Sequence, residues 1–350
     1  MKAVIASDSF KGCLSSAEVA LAVEKGILDA APDADVLKVP VADGGEGTVD
    51  AVVSGMPGAR LVGAEVSDPL GRPVTAVYGI VGGTAVIESA SACGLALLRE
   101  SERNPLVTSS RGLGELILDA VGHGCSEFLI GLGGSATNDG GRGMVETPGL
   151  LERTAGMKFT VACDVDTPFV GPAGASRVFG PQKGAGPDEV EILERRLREY
   201  ALQILRDTGV DVRDLRGAGA AGGLGGAFGA YFGASLERGV DMVLDFLHFD
   251  ALVRGADLVI TGEGRSDFQT PMGKTPSGVL ERAARQGIPA VLLSGAVEHC
   301  SELDSMGFAE VLAATPEGMP LDVAIDRKVA SRNLRLAAKS LTERLSGCKK

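Results

Sequence analysis

The chain has 350 residues, 45% of them hydrophobic, with 50 glycines, no tryptophan and only 4% aromatic residues, so two domains with cores of Val, Leu, Ile and Ala are expected. Acidic residues outnumber basic ones, 46 against 34, for a net charge of -12, and no Lys/Arg stripe forms; this argues against nucleic acid or an anionic membrane and for a small-molecule partner. The cysteines Cys13, Cys93, Cys125, Cys163, Cys300 and Cys348 form no CxxC pair, no apolar run approaches the roughly 18 residues of a membrane span, and "MKAVIASDSF" is too short an apolar run for a signal peptide, so a soluble cytoplasmic protein with reduced thiols is expected.

In chain order, "KAVIAS" (2–7) reads as a buried strand, "DSFKG" (8–12) as a loop, and 15–31 as a helix with apolar residues at helical spacing. Ser15 and Glu18 stand at capping-box spacing at its start. A strand over 35–43 runs into "GGEGT" and a further helix. The stretch 73–90 alternates around Gly82-Gly83 as a hairpin does, and a helix and strand follow near 112–131. Pro187 opens a long amphipathic helix over 188–205, whereas 217–234 is rich in small residues and shows no clear periodicity. Towards the other end come a strand (256–264), a helix (278–287), strands near 289–297 and 308–316, and a final helix. Short unalternated apolar strands separated by helices mark a parallel sheet covered on both faces. The fold expected is therefore α/β with two domains: a doubly wound parallel sheet made by 1–65 plus 256–350, and an inserted mixed-sheet α/β domain over 66–255, with 105–140 assignable to either.

In an open parallel sheet, ligands sit beyond the carboxyl ends of the strands. Several apolar runs here end in Gly-rich loops that carry carboxylates: Asp8, Asp43 with Glu46, Asp139, Asp164 with Asp166, and Glu263 with Asp267. Lys11 and Lys183 occupy similar loops. Glycine lets a polyanion approach backbone N–H groups, but carboxylates repel it; a Mg²⁺ between them, or a carboxylate acting as base towards a hydroxyl, reconciles the two. That combination points to phosphoryl transfer. Taken singly, each such loop is also explained as a tight turn with a capping Asp.

Other patterns point elsewhere. "GLGGSA" (131–136) and "GAGAAG" (217–222) satisfy G-x-G-x-x-[GA], which leaves a nicotinamide-dependent dehydrogenase open. "MGKT" has the tail of a P-loop, but Phe268 stands where the first glycine belongs, so Lys274 loses that warrant. His123, His248 and His299 lie in no motif, and G-x-S-x-G is absent.

The blocks "DSFKG", "VADGGEGT", "TSSRGLGELILDA", "IGLGGSATNDGG", "VACDVDTPFVGPAGASRVFGPQKGA", "GAGAAGGLG" and "DLVITGEGRSDFQTPMGKTPSGV", in this order, resemble the bacterial glycerate kinase family, the type unrelated to P-loop kinases, over nearly the whole chain. The resemblance implies ATP- and Mg²⁺-dependent transfer of the γ-phosphoryl group to D-glycerate, mostly giving 2-phosphoglycerate. It also implies a flavodoxin-like domain joined to a second mixed α/β domain.

Combined with side-chain chemistry, this suggests an interdomain cleft with distinct roles. Asp164, then Asp8, are candidates for the base and Lys183 for transition-state charge. Ser9, Lys11 and Arg265 are assigned to glycerate, and Gly133, Gly134, Ser135, Thr137, Asn138 and Asp139 to phosphate. Asp43, Glu46 and Glu263 are candidates for the metal. A kinase acting on another small hydroxy acid, and a non-catalytic sensor of the same ligand, stay open. One departure is that "VETPGLLERTAGMKFT" (145–160), with Pro148, is markedly shorter than the family's corresponding stretch. An element of the second domain is expected to be missing there, with the polar loops on both sides retained.

Overall fold

The computed structural model describes residues 1–213 and 215–347, so Cys348 lies outside the described residues. The chain forms two compact units, one of residues 1–43, 50–57 and 243–350, the other of residues 44–49 and 58–242. Among the described residues no helix is long and apolar enough to cross a membrane.

The first unit is built on a five-stranded parallel sheet in the spatial order Glu310–Ala313, Ala290–Ser294, Leu258–Thr261, Lys2–Ile5, Asp35–Lys38. The strands Leu258–Thr261 and Ala290–Ser294 are buried at every position, as unalternated apolar runs require when helices cover both faces. From Lys2–Ile5 the chain first adds a strand on one side and later returns to add three on the other. The switch point therefore lies between Lys2–Ile5 and Leu258–Thr261, where the loops at the carboxyl ends diverge and leave a crevice. Helix Ser16–Ala30 starts with the expected capping box: the Glu18 N–H donates to Ser15 Oγ (3.3 Å) and the Ser15 N–H to Glu18 Oε2 (2.9 Å). It lies against helix Arg327–Gly347 through Gly26, where an added Cβ would stand 2.2 Å from the Arg335 carbonyl oxygen. Val19, Val23, Ile27, Leu334 and Leu341 close the core there. Each buried side chain of this kind contributes about 1.5–3 kcal/mol.

The second unit carries a six-stranded mixed sheet, in the order Arg60–Ser67, Pro73–Val81, Thr84–Glu88, Glu127–Gly131, Lys158–Ala162, Ser235–Glu237. The first three strands run antiparallel, with Val81 paired to Thr84 across the Gly82-Gly83 turn, and the remainder pair in parallel. Phe128 and Phe159 are in register on adjacent strands and stack at 4.5 Å, with Phe228 and Phe232 of helix Ala220–Phe232 tilted against Phe159. That helix occupies the small-residue stretch whose structure the sequence leaves open. Its start is interrupted by three successive left-handed residues, Ala221, Gly222 and Gly223.

The long helix spans Pro187–Thr208, with Pro187 in its first turn and Gly209 in the left-handed region at its end. The short link after Met144 contains one-turn helices Arg142–Val145 and Leu150–Arg153 and then enters Lys158–Ala162. Met144 and Leu150 are fully buried in the unit's core, so the abbreviated crossover still covers its sheet.

Candidate active site

In the first unit, the loops leaving the two central strands and the start of helix Thr275–Arg285 gather charged groups around a cavity of about 480 Å³. Asp8 follows strand Lys2–Ile5 and is buried, 5% exposed. Its Oδ1 accepts from the Ser9 N–H (2.7 Å) and its Oδ2 from the Thr275 hydroxyl (2.9 Å). Burial, followed by the negative charge of Asp43, pushes the Asp8 carboxyl up to about 7; the Thr275 and Ser9 hydrogen bonds and Lys11 pull the other way without overcoming them. Lys11, largely exposed, reaches to 4.0 Å from Asp43 Oδ2.

In the same lining, buried Glu263 accepts from Thr270 Oγ1 (2.7 Å) and Ser266 Oγ (3.1 Å) through Oε1. Its Oε2 stands 3.2 Å from Lys274 Nζ. Lys274 is also 3.8 Å from Asp267. Arg265 lines the cavity but is paired with Glu298. Six of the residues singled out in the sequence, Asp8, Ser9, Lys11, Asp43, Glu263 and Arg265, thus share one cavity.

In the second unit, residues 132–141 follow strand Glu127–Gly131. Gly133 and Gly134 present exposed backbone, whereas Ser135, Thr137 and Asn138 are buried. The Thr137 N–H donates to Ser135 Oγ (3.1 Å), Ser135 Oγ lies 2.9 Å from Thr137 Oγ1, and Asn138 Nδ2 donates to Ser176 Oγ (2.9 Å). Asn138 Oδ1 has no partner in the structure. The Asp139 carboxylate accepts from the N–H groups of Ser110, Gly141 and Gly143 and from the Ser110 hydroxyl, at 2.8–3.1 Å. It ties the starts of two helices together.

Lys183, 2% exposed, donates to the Thr137 carbonyl at 2.6 Å. Burial lowers its ammonium to about 8, against the opposing influence of Cys93 and Asp139. The left-handed segment backs this loop. The Gly140 N–H donates to the Gly222 carbonyl, and a Cβ on Gly222 would fall 2.1 Å from the Thr137 carbonyl oxygen. Asp164 is exposed and its Oδ1 accepts from the first N–H of helix Gly239–Phe246 (2.9 Å); Glu46 is exposed on 44–49. Neither Asp164 nor Glu46 lines the cavity of the first unit.

The dinucleotide pattern at 131–136 lacks the context it needs, because the next helix begins only at Arg142 and lasts one turn. His123 bonds the Tyr78 hydroxyl and the Asp119 carbonyl, and His299 pairs with Asp304, both as parts of the scaffold. Among the described residues no three His, Cys, Asp or Glu side chains form a metal cage. Mg²⁺ needs only one or two carboxylates beside phosphate oxygens and water, and Asp43 and Glu263 in the lining of this cavity are hard oxygen donors of that kind, so the residues present fit the ion. Lys274 and Thr275 are the site residues that the sequence does not reveal. The failed P-loop pattern hides the lysine, and only Pro276, in the first helical turn, marks a helix start there.

A sequence model of the glycerate kinase family matches residues 3–151 and 145–346, and its two stretches meet in the short link after Met144. A glycerate kinase of Bacillus subtilis (strain 168) is 43% identical over 357 residues, covering 93% of each chain. A glycerate 2-kinase of Escherichia coli (strain K12) is 45% identical over 327 residues, 85% of this chain and 86% of its own. The crystal structure of a candidate glycerate kinase 2 from Salmonella typhimurium LT2 is similar at a TM-score of 0.89 and 44% identity, covering 100% of this chain and 99% of that one.

Proposed function

The chain belongs to the glycerate kinase family, and on that premise we propose that it transfers the γ-phosphoryl group of ATP to a hydroxyl of D-glycerate, with Mg²⁺, to give 2-phosphoglycerate. The observation that carries the reading is Asp8: a buried carboxyl held near 7 at the carboxyl end of a central strand, beside Asp43 and Lys11. A base whose pKa matches the working pH takes up the hydroxyl proton as the phosphorus–oxygen bond forms, an effect worth about 10²- to 10⁴-fold. Thr275 and the Ser9 N–H fix the orientation of this carboxylate. Asp164, the first candidate from the sequence, becomes the alternative base, and comparison of Asp8→Asn with Asp164→Asn separates the two.

Bound Mg²⁺ supplies charge neutralisation at the phosphate oxygens, and Asp43 with Glu263 are the carboxylates of this cavity that would hold it; Glu46 is the alternative on the second unit. Lys11 and Lys274 offer cationic donors for phosphate or for the carboxylate of glycerate. The exposed backbone of Gly133 and Gly134 suits an anion, and Lys183 supports that loop from behind through the Thr137 carbonyl. The 2-phospho product is supported by the name of the E. coli relative. A cytoplasmic setting is supported by the free thiols of Cys13, Cys93, Cys125, Cys163 and Cys300.

The test is coupled ADP release with D-glycerate, ATP and Mg²⁺ against glycerate-free and EDTA controls, with phosphorus NMR of the product. Mg²⁺-dependent release is expected. Glycerate binding by folded protein without ADP release would instead establish a sensor.

A further inference from the structure

The cavity of the first unit is larger and more apolar than glycerate requires. Every carbon of glycerate carries oxygen, and its recognition calls for cations and hydrogen-bond donors. A volume of about 480 Å³ lies in the range of pockets that bury cofactor-sized ligands.

The lining is divided between sequence regions. The charged groups come from loops after the two central strands and from Lys274, whereas the apolar wall comes from the segment after edge strand Glu310–Ala313 and from helix Arg327–Gly347. Met319, Leu321, Ile325 and Ala330 belong to that wall, and Ala330 joins Phe10 and Cys13 in the unit's hydrophobic core. Leu321 is 75% exposed and Ile325 49%, so apolar surface beside the cavity stands open to solvent.

Within this wall is one buried amide. Asn333 is 4% exposed and lines the cavity; its Nδ2 donates to Met319 Sδ at 3.5 Å, a weak acceptor, and among the described residues its side chain makes no other hydrogen bond. Neither polar atom of this amide is among the buried partnerless atoms, so its remaining donor and acceptor capacity is open to the cavity and available to a ligand.

We propose that the apolar part of this cavity takes the adenine base of ATP, with the Asn333 amide bonding the purine edge and the phosphates running towards Lys11 and Lys274. An Asn amide matches adenine by accepting from its exocyclic amine and donating to a ring nitrogen, while Met319, Leu321 and Ile325 cover the ring faces. The placement rests on the kinase reading. It assigns the base to the unit with the parallel sheet and not to the Gly-rich pattern at 131–136.

The test is equilibrium binding of ADP and of inorganic tripolyphosphate to the full chain, as wild type, Asn333→Leu and Ala324→Phe. Asn333→Leu removes the proposed bonds to the purine edge, and Ala324→Phe alters no residue given a chemical role above. Both are expected to raise the Kd for ADP tenfold or more while leaving that for tripolyphosphate within about twofold, with Ala324→Phe acting by filling the slot. On the wild type, ADP but not tripolyphosphate is expected to slow hydrogen exchange over 319–325, a readout that decides the matter if either variant fails to fold. Unchanged ADP affinity in both folded variants, or protection confined to 131–141, overturns the placement. Glycerate turnover by the wild type is scored separately. Turnover with unaltered ADP binding in the variants removes the adenine site and leaves the kinase reading, whereas weakened ADP binding in the variants of a protein inactive on glycerate does the reverse. A folded wild type that binds no ADP removes both.

Discussion

Replacing Asp8 by Asn should stabilise the protein above neutral pH while sharply slowing turnover. Holding a carboxyl near 7 when its ordinary value is 3.8 means that the native state keeps a proton which the unfolded chain has released. Below about 4 both states are protonated and Asp8 costs nothing. Between 4 and 7 native stability falls as pH rises, and above 7 the full penalty of ionising a buried group beside Asp43 applies, about 4 kcal/mol. Asparagine keeps the shape, with its Oδ1 still accepting from the Ser9 N–H and its Nδ2 donating to a reoriented Thr275 hydroxyl, so most of that penalty disappears. Denaturant titrations of both proteins at pH 5 and pH 8 should show the variant ahead by about 2–4 kcal/mol at pH 8, with the gap narrowing at pH 5. In thermal scans each kcal/mol corresponds to about 2–4 °C for a unit of this size. A difference independent of pH, or a variant less stable at pH 8, would refute the account of a strained ionised carboxylate.

The same group predicts the pH–rate profile: kcat/KM should climb with pH and level off with a midpoint near 7, because the ionised form is the active one, and Asp8→Asn should be flat and at least about 10²-fold slower. Gly222→Ala should destabilise by more than about 1 kcal/mol and lower kcat, since its φ is +73° and the new Cβ meets the Thr137 carbonyl; denaturation together with steady-state kinetics checks both. Gly26→Ala should cost about 1–3 kcal/mol in denaturation by prising helix Ser16–Ala30 from helix Arg327–Gly347, with KM for both substrates unchanged. EDTA should stop ADP release, and added Mg²⁺ should restore it; activity that persists in EDTA would remove the ion from the scheme.

Much of the architecture is written locally. The Ser15–Glu18 box, the Gly82-Gly83 hairpin and the proline-opened helix Pro187–Thr208 each depend on residues close in sequence, and unalternated apolar strands announce a sheet buried on both faces. The left-handed run at 221–223 is different, because Ala221 carries no signal for positive φ, and only the packing of 137–140 against it explains the conformation. Polar residues in Gly-rich loops also do not declare which way they face. Ser135, Thr137 and Asn138 turn inward to bond one another and Ser176, and Asp139 is engaged by four donors, a pattern that requires Ser110 and Ser176 to arrive from distant segments. Lys274 loses its phosphate warrant in the sequence because its neighbours break the P-loop pattern, and only the fold brings Glu263 and Asp267 beside it.

The pairing of Ala3 with Leu258 has a consequence for biosynthesis. During translation the first strand can dock only on Asp35–Lys38, leaving its other edge without hydrogen bonds until the ribosome has delivered the third strand, by which time every residue of the inserted unit has been made. The nascent amino-terminal segment is therefore the part of this protein that most needs shielding by chaperones, and chains released early, before about residue 258, should be the ones that aggregate.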